Sequence, residues 1–316
     1  MLRINYNIMK KSVLFALASL VFFAGSCQKG NINDVESGDI SEVTLAIDLP
    51  IKVSTKAIGD GTSATELYYA VFSQEGNYVQ SLAQTAPITM VGKQAQLKLK
   101  LVKNYTYTFV FWAQAPDAPY EFTPETGVVT VDYKGAANDE TRDAFCKKHE
   151  FKVPDAATFT ETVELTRPFA QINFGAADFA PITELGLTMT STVTISGLAD
   201  TYDILNGGVS GSASTDLSFT SVPAQLDPVE TLAVAGQDYA YVSMNYILAS
   251  DVEGKLANMT AKFAYNGENV DVEVLNVPFR SNYRTNIIGS FFTDEVTFEI
   301  KIDPAFIQPD FVKTNQ

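Results

Sequence analysis

Residues 43–49 read Val-Thr-Leu-Ala-Ile-Asp-Leu, with a large apolar side chain at every second position. A period of two is typical of a β-strand with one face in the core, because successive side chains of a strand point to opposite faces. Val43, Leu45, Ile47 and Leu49 are therefore expected to form the buried face of the first strand of the fold.

The same alternation recurs in both halves of the chain. Two-residue turn signals such as Asn266-Gly267 separate some of these segments, since a type I′ turn needs two residues that tolerate positive φ. Many short alternating strands with turns between them are typical of β-sandwiches. We therefore expect an all-β fold with little helix. Further strands are predicted at 97–101, 105–111, 128–133, 160–165, 169–174, 187–195, 239–248, 259–265, 270–277 and 296–302, the last with Thr297, Glu299 and Lys301 outward.

The length of the chain favours two domains. The boundary is expected near Thr166, Arg167 and Pro168, where one alternating strand ends and the next begins. The predicted organisation is an N-terminal β-sandwich at 41–166, a C-terminal β-sandwich at 167–302 and a C-terminal tail at 303–316.

The N-terminus is typical of an export signal. Lys10 and Lys11 precede an apolar run at 13–23, which is too short for a membrane span of about 20 residues. Small residues then lead to Cys27, as in the lipobox of bacterial lipoproteins. We expect 1–27 to be a lipoprotein signal peptide, with Cys27 as the lipidated (palmitate-bearing) residue and 28–40 as a flexible polar tether. A plain signal peptide with an incidental cysteine is the alternative.

The formal net charge is −15, which argues against binding to nucleic acid or to anionic lipid head groups. The chain has two cysteines and one histidine. If Cys27 is acylated, Cys146 has no disulfide partner, and the core alone must hold the fold.

Helix is expected at 138–150, with Asn138 as a candidate N-cap. Cys146 and His149 would then share one helical face as a C-x-x-H pair. A structural zinc site usually needs four ligands, and no second such pair exists. No metal site is therefore predicted, and a surface histidine beside a half-buried cysteine is the better interpretation.

Catalytic motifs are not found. A Ser-His-Asp triad would have to use His149, and neither a G-x-S-x-G elbow nor a G-x-G-x-x-G loop occurs. We predict that the protein is not an enzyme and has no cofactor. Trp112 lies in an apolar strand and is predicted to be a core residue rather than a sugar platform.

Two lysines follow the first strand. Lys52 and Lys56 are the only cationic residues between Lys29 and Lys93, and Gly59-Asp60-Gly61 comes directly after them. A trypsin-like protease would cut here and detach the whole strand 43–49. The strand of another chain could fill the resulting groove, with main-chain hydrogen bonds and alternate side chains giving affinity and fit. An ordinary loop after an ordinary strand is the alternative.

These features together resemble the fimbrillin-like lipoproteins of Bacteroidia, the subunits of type V pili. The resemblance rests on the lipobox at Cys27, on the strand and lysines from 43 to 56, and on Val-Glu-Leu-Thr-Arg-Pro-Phe-Ala-Gln-Ile at 163–172. It also rests on Asn-Val-Pro-Phe-Arg-Ser-Asn-Tyr-Arg-Thr-Asn-Ile-Ile-Gly at 276–289. It covers most of the chain after the signal peptide.

The resemblance implies two transthyretin-like β-sandwich domains and display at the outer membrane and in a cell-surface fimbrium. It also implies cleavage after Lys56, or less often Lys52, followed by strand exchange with other pilus subunits in cell adhesion. The partners would be those subunits, the outer membrane through the lipid, and a ligand on host or bacterial surfaces. The donated strand would come from beyond Ile302, where the apolar residues are Phe306, Ile307, Phe311 and Val312.

The alternative function is a glycan-binding surface lipoprotein of the outer membrane. Such a protein should display clustered exposed aromatic residues, for which Tyr68, Tyr69 and Tyr120 are the best candidates. A second open question concerns the stretch from Arg280 to Asn286, which could form a recognition loop or could brace the connection after the preceding strand.

Overall fold

A computed structural model describes residues 39–50, 59–133, 138–178, 189–211, 217–221, 231–234, 237–249, 256–265, 267–292, 296–304 and 311–313. These ranges contain 21 strands and two single-turn 3₁₀ helices, at Gln80–Leu82 and Glu140–Arg142. No helix among the described residues has the length and apolar character needed to cross a membrane. The strands are β1 (Ile40–Asp48), β2 (Glu66–Phe72), β3 (Ile88–Thr89), β4 (Gln94–Val102), β5 (Thr106–Gln114), β6 (Tyr120–Thr123), β7 (Val128–Val131), β8 (Phe145–Lys152), β9 (Thr158–Glu164), β10 (Phe169–Ala176), β11 (Met189–Ile195), β12 (Thr201–Asp203), β13 (Val209–Ser210), β14 (Leu217–Ser221), β15 (Thr231–Val234), β16 (Gln237–Leu248), β17 (Leu256–Tyr265), β18 (Glu268–Pro278), β19 (Tyr283–Ser290), β20 (Thr297–Pro304) and β21 (Phe311–Lys313).

The described strands form five sheets. In the first half, a three-stranded sheet of order β4-β1-β9 faces a four-stranded sheet of order β3-β2-β5-β8. In the second half, a sheet of order β14-β11-β17-β18 faces a larger one of order β15-β16-β10-β19-β20-β21. A small sheet of order β13-β12-β7-β6 joins strands from both halves. The predicted all-β fold of β-sandwiches with little helix is confirmed.

The central strand β5 is buried on both faces because it lies between two cores. Phe109 and Phe111 point into the core of the first sandwich, which consists only of residues from the first half of the chain. Val110 and Trp112 point to the opposite side, into a core shared with residues of the second half. Trp112 is fully buried, which confirms the prediction that it is a core residue.

The predicted helix at 138–150 is wrong. Only Glu140–Arg142 forms a 3₁₀ turn, and β8 follows from Phe145 to Lys152. Asn138 has a φ of 60°, a left-handed conformation, whereas an N-cap residue usually adopts β-region angles. In a strand, residues three positions apart lie on opposite faces, so Cys146 and His149 point to different cores rather than to one site.

The predicted orientation of the strand at 296–302 is confirmed at some positions and wrong at Lys301. Thr297 and Glu299 are exposed and Ile300 packs against the core, as predicted, whereas Lys301 is only 9% exposed and Phe298 is 37% exposed. Lys301 is accommodated beside Glu299, whose carboxylate lies 3.3 Å from its ammonium group. The apolar face of β20 is therefore partly open to solvent.

Candidate functional site

Strand β1 is the middle strand of its sheet. It pairs antiparallel with β4 from Ile40 to Asp48 and parallel with β9 from Glu42 to Asp48. The side chains of Val43, Leu45, Ile47 and Leu49 are at most 1% exposed, as the alternation predicts. The residues between them, such as Thr44, face outward and are partly exposed.

The two neighbours of β1 depend on it for strand pairing. Leu45 lies opposite Leu97 of β4 and Glu161 of β9, and Ile47 lies opposite Val163. Within the described sheets, neither β4 nor β9 pairs with any strand other than β1. Removal of β1 would therefore leave a groove whose two walls both carry unpaired main-chain groups, which is the arrangement that strand addition requires.

Lys93 bonds to the chain on both sides of residues 51–58. The backbone carbonyl of Lys93 accepts a hydrogen bond from Leu49 N at 3.0 Å. The ammonium group of the same lysine donates to the carbonyl of Asp60 at 2.5 Å. The predicted cleavage residues Lys52 and Lys56 lie between these anchors, outside the described residues.

The chain is held again at Gly59, the first described residue after this gap. The Gly59 N–H donates to Glu140 Oε2 at 2.6 Å, and Nη2 of Arg167 donates to the Gly59 carbonyl. Arg167 also binds Asp143 through two hydrogen bonds of 2.6 and 2.9 Å, and both side chains are buried. A charged pair in a dry interior needs such bidentate geometry to offset the loss of hydration.

Burial raises the pKa of the Glu140 carboxyl to about 7, although the Gly59 N–H opposes the shift. The nearby carboxylate of Asp143 adds to the rise, whereas the Tyr246 hydroxyl and the Arg284 guanidinium oppose it. A perturbed carboxylate can mark a catalytic site. Here both oxygens of Glu140 accept hydrogen bonds from the protein, from Gly59 N and from Tyr246 at 3.3 Å. The arrangement anchors the chain, and neither oxygen is left without a protein partner.

The local sequence does not predict this cluster. Of its members, only Arg167 belongs to a motif that the resemblance singled out, and there it served to locate the domain boundary. A buried arginine paired with an acid 24 residues earlier has no signature in the local pattern.

The predicted donor residues are only partly described. Phe306 and Ile307 lie outside the described residues, as does the predicted lipidation residue Cys27. Phe311 and Val312 belong to β21, which pairs antiparallel with β20 so that Phe311 lies opposite Ile302.

The aromatic residues proposed for glycan binding do not form an exposed platform. Tyr69 is 7% exposed. Tyr120 donates its hydroxyl to the carbonyl of Arg142, and its ring contacts Trp112 at 5.5 Å between centroids. The Tyr68 hydroxyl donates to Glu66, and burial together with this carboxylate raises the pKa of Tyr68 to about 12.

The stretch from Arg280 to Asn286 braces the second sandwich. Asn286 is buried and accepts a hydrogen bond from Asn173 at 2.9 Å, and Arg284 donates to Gln171 at 2.9 Å. These contacts tie β19 to β10 and favour the structural interpretation over a recognition loop. Among the described residues, no three His, Cys, Asp or Glu side chains come together as metal ligands would.

Solved structures similar to this chain include proteins of bacterial fimbriae. The tip fimbrial protein Mfa3 from Porphyromonas gingivalis, with a C-terminal truncation, shares 11% identity at a TM-score of 0.49, covering 84% of this chain and 99% of that one. A proposed cell adhesion protein from Bacteroides uniformis shares 16% identity at a TM-score of 0.49, with coverages of 84% and 97%. A proposed polysaccharide-binding protein from Bacteroides thetaiotaomicron shares 13% identity at a TM-score of 0.48, with coverages of 87% and 98%.

No curated protein matches the chain. One sequence family matches residues 36–316, nearly all of the chain after the predicted signal peptide. The chain belongs to this family, which is described as a family of unknown function, DUF6562.

Proposed function

We propose that the protein is a subunit, or an accessory subunit, of a surface pilus that assembles by exchange of strand β1. One observation carries the proposal: a middle strand with a fully buried apolar face is the only sheet partner of both its described neighbours. The position of Lys52 and Lys56 directly after this strand supports it. A cut after either lysine would leave β1 bound by non-covalent contacts alone.

Those contacts are strong enough to retain β1 until a competing strand replaces it. Four buried aliphatic side chains stabilise the bound strand by about 6–12 kcal/mol in total, at about 1.5–3 kcal/mol each. Spontaneous release would therefore be slow. A second strand with the same alternation could recover the same contacts, so that exchange costs little overall.

Strand β20 with the residue before it has the required pattern. Residues 296–302 read Val-Thr-Phe-Glu-Ile-Lys-Ile, which aligns without a gap on Val-Thr-Leu-Ala-Ile-Asp-Leu at 43–49. Its apolar face is partly exposed in the folded chain, with Val296 at 40% and Phe298 at 37%. The donor would then comprise residues 296–302 of a neighbouring subunit, which must first leave their antiparallel pairing with β19, followed by the predicted tail residues Phe306, Ile307, Phe311 and Val312.

The charges of the acceptor favour this replacement. In β1, Asp48 lies opposite Glu164 of β9, a pair of like charges. In the same register Lys301 of a donor would take the place of Asp48 and face Glu164. Like charges on neighbouring strands repel each other and opposite charges attract, and salt screens both effects at exposed positions.

The proposal places the precursor at the outer membrane through a lipid on Cys27, with a tether at 28–40 and the two domains at 41–166 and 167–302. The name of the tip fimbrial protein from Porphyromonas gingivalis states a fimbrial role for that protein. The proposal gives this chain a role of the same kind. We infer a structural rather than a catalytic role.

Limited proteolysis of the chain from residue 28 onward tests the proposal. Trace trypsin should cut first after Lys56 or Lys52 and leave a folded core, and oligomer ladders should follow in native mass spectrometry. The double variant Lys52→Gln, Lys56→Gln should resist this cut and stay monomeric. As a matched control, Lys148→Gln, Lys152→Gln removes two exposed lysines of β8, outside the sheet of β1, and should behave like the wild type.

Two results would contradict the proposal. One is that Lys52 and Lys56 resist trypsin in the folded protein. The other is that cutting there unfolds the chain without producing oligomers, because β1 would then be a permanent part of the fold.

A further inference from the structure

We infer that His149 and Glu161 form a cross-sheet pair that holds β9 in place when β1 leaves. The inference rests on the proposed function, since it assigns a positioning role to residues beside the acceptor groove. It also gives a role to the only histidine of the chain, which lies on the face of β8 opposite Cys146.

The pair joins the two layers of the first sandwich. Glu161 lies on β9, in the same sheet as β1, and His149 lies on β8, in the facing sheet. His149 Nε2 lies 3.3 Å from Glu161 Oε2. Neither atom is accessible to solvent, and neither makes a well-aligned hydrogen bond, whether to the other or elsewhere in the protein, so that their contact is the charge–dipole or ionic one at this distance. Each of these two atoms therefore depends on the other for its polar contact.

Strand β9 needs such a contact more than β4 does. Within the described residues both strands pair only with β1. Strand β4 also buries three apolar side chains, Ala95, Leu97 and Leu101, against the facing sheet. The inward residues of β9 are the half-buried Phe159 and Glu161 and the buried Val163, and its further apolar support comes from Leu165 directly after the strand.

Aromatic contacts alone give β9 partial support. Phe159 stacks on Phe151 of β8 with 5.8 Å between ring centroids. Phe151 in turn stacks on His149 at 5.6 Å. The histidine ring thus contributes both packing and a polar contact, and these two contributions can be separated by substitution.

The polar contact requires a proton on Nε2. A carboxylate oxygen is an acceptor only, so an unprotonated Nε2 would place two acceptors against each other. His149→Gln keeps a donor near the position of Nε2, because the glutamine amide can supply an N–H. His149→Phe keeps a ring over Phe151 but removes the donor and leaves the inward Glu161 oxygen without a partner.

Hydrogen exchange in the intact, uncut chain provides the test. In His149→Phe, the amides of β9 should exchange at least about tenfold faster than in the wild type, because a dehydrated carboxylate oxygen has lost its partner. His149→Gln should restore protection, and the amides of β4 should be unchanged in both variants. Thr162→Val, a change of similar volume on the exposed outer face of β9, is the matched control and should exchange like the wild type.

A second measurement addresses the groove itself. After cleavage by trypsin, binding of a fluorescent peptide with the sequence of residues 40–49 should weaken about tenfold in His149→Phe and be restored in His149→Gln. Unchanged β9 exchange in His149→Phe, or equal loss in His149→Gln, would overturn the cross-sheet pair, whatever happens to β1. Faster hydrogen exchange at the β9 amides, in a protein whose β1 is never replaced by another strand, would support the pair and contradict the proposed function.

Discussion

Replacing Leu45 by alanine tests whether the apolar face of β1 controls strand exchange. Leu45 is fully buried and lies between Leu97 of β4 and Glu161 of β9. Truncation of a buried leucine to alanine usually costs about 2–5 kcal/mol, because the lost transfer free energy adds to that of the cavity left behind. All contacts of this side chain are lost when β1 leaves. The full cost should therefore weaken the binding of a cleaved β1 by roughly 30-fold to several thousandfold.

Two assays measure this effect. Urea denaturation of the uncut chain gives the change in the free energy of unfolding. After trypsin cleavage, the loss of the β1 fragment from the core is followed by native mass spectrometry in the presence of excess peptide of the wild-type sequence 40–49. Thr44→Ala is the control, since Thr44 lies on the outer face of the same strand and is partly exposed.

The reasoning predicts a specific pattern across both assays. Leu45→Ala should destabilise the uncut chain and accelerate fragment loss. Thr44→Ala should change the free energy of unfolding by less than about 1 kcal/mol, and the rate of fragment loss by no more than the factor that corresponds to this energy. If Leu45→Ala destabilises the uncut chain but the cleaved β1 leaves at the wild-type rate, release is not limited by these contacts. Burial of the apolar face would then not explain the retention of β1.

Three further outcomes follow from the described contacts. Arg167→Ala should lower the free energy of unfolding by about 3–5 kcal/mol, because it leaves the fully buried Asp143 without its charge partner; urea denaturation at pH 7 measures this loss. Burial raises the pKa of Glu140 to about 7 from an ordinary value of 4.5, so the folded state binds more protons than the unfolded state between these two values. The stability of the wild type relative to Glu140→Gln should therefore rise as the pH falls from about 7 to about 4.5, and denaturation at four pH values checks the sign. Lys301→Glu should slow oligomer formation after cleavage, because the donated side chain would face Glu164 in the acceptor, and added salt should reduce the difference.

The alternation of β1 made its structure predictable from the sequence. Val43, Leu45, Ile47 and Leu49 are all aliphatic and recur with period two, and the buried face follows from this pattern without knowledge of the neighbours. The same holds for the buried Leu97 and Leu101 of β4. When one face of a strand is apolar, its own residues are enough to predict which face is buried.

Strand β8 was not predictable in this way. Its inward positions between Phe145 and Phe151 are Lys147 and His149, which conceal the period of two. The polar residues before it suggested a helix start at Asn138. Inward polar residues are stable here because of partners that the local sequence does not reveal, such as Glu161 for His149.

The anchor at Gly59 illustrates the same limit at longer range. Its partners Glu140 and Arg167 are 81 and 108 residues away, and only the folded topology brings them together. Period and turn signals report which face of an element is buried. They carry no information on which distant charges meet. The domain boundary near Thr166 and the cleavage at Lys52 or Lys56 stay predictions.

A strand that is held firmly before cleavage and replaced afterwards places two demands on its surroundings. The chain beyond the cut must stay folded when β1 loses its covalent link, and the contacts at Asp60 and Gly59 meet this demand because none of them involves β1 itself. The walls of the groove must also keep their spacing while β1 is absent. Strand β4 has apolar packing for this purpose, whereas β9 combines limited apolar packing with the His149–Glu161 contact. Under the proposed exchange, the polar residues that interrupt the alternation of β8 and β9 therefore occur where the acceptor groove would need support that does not come from β1.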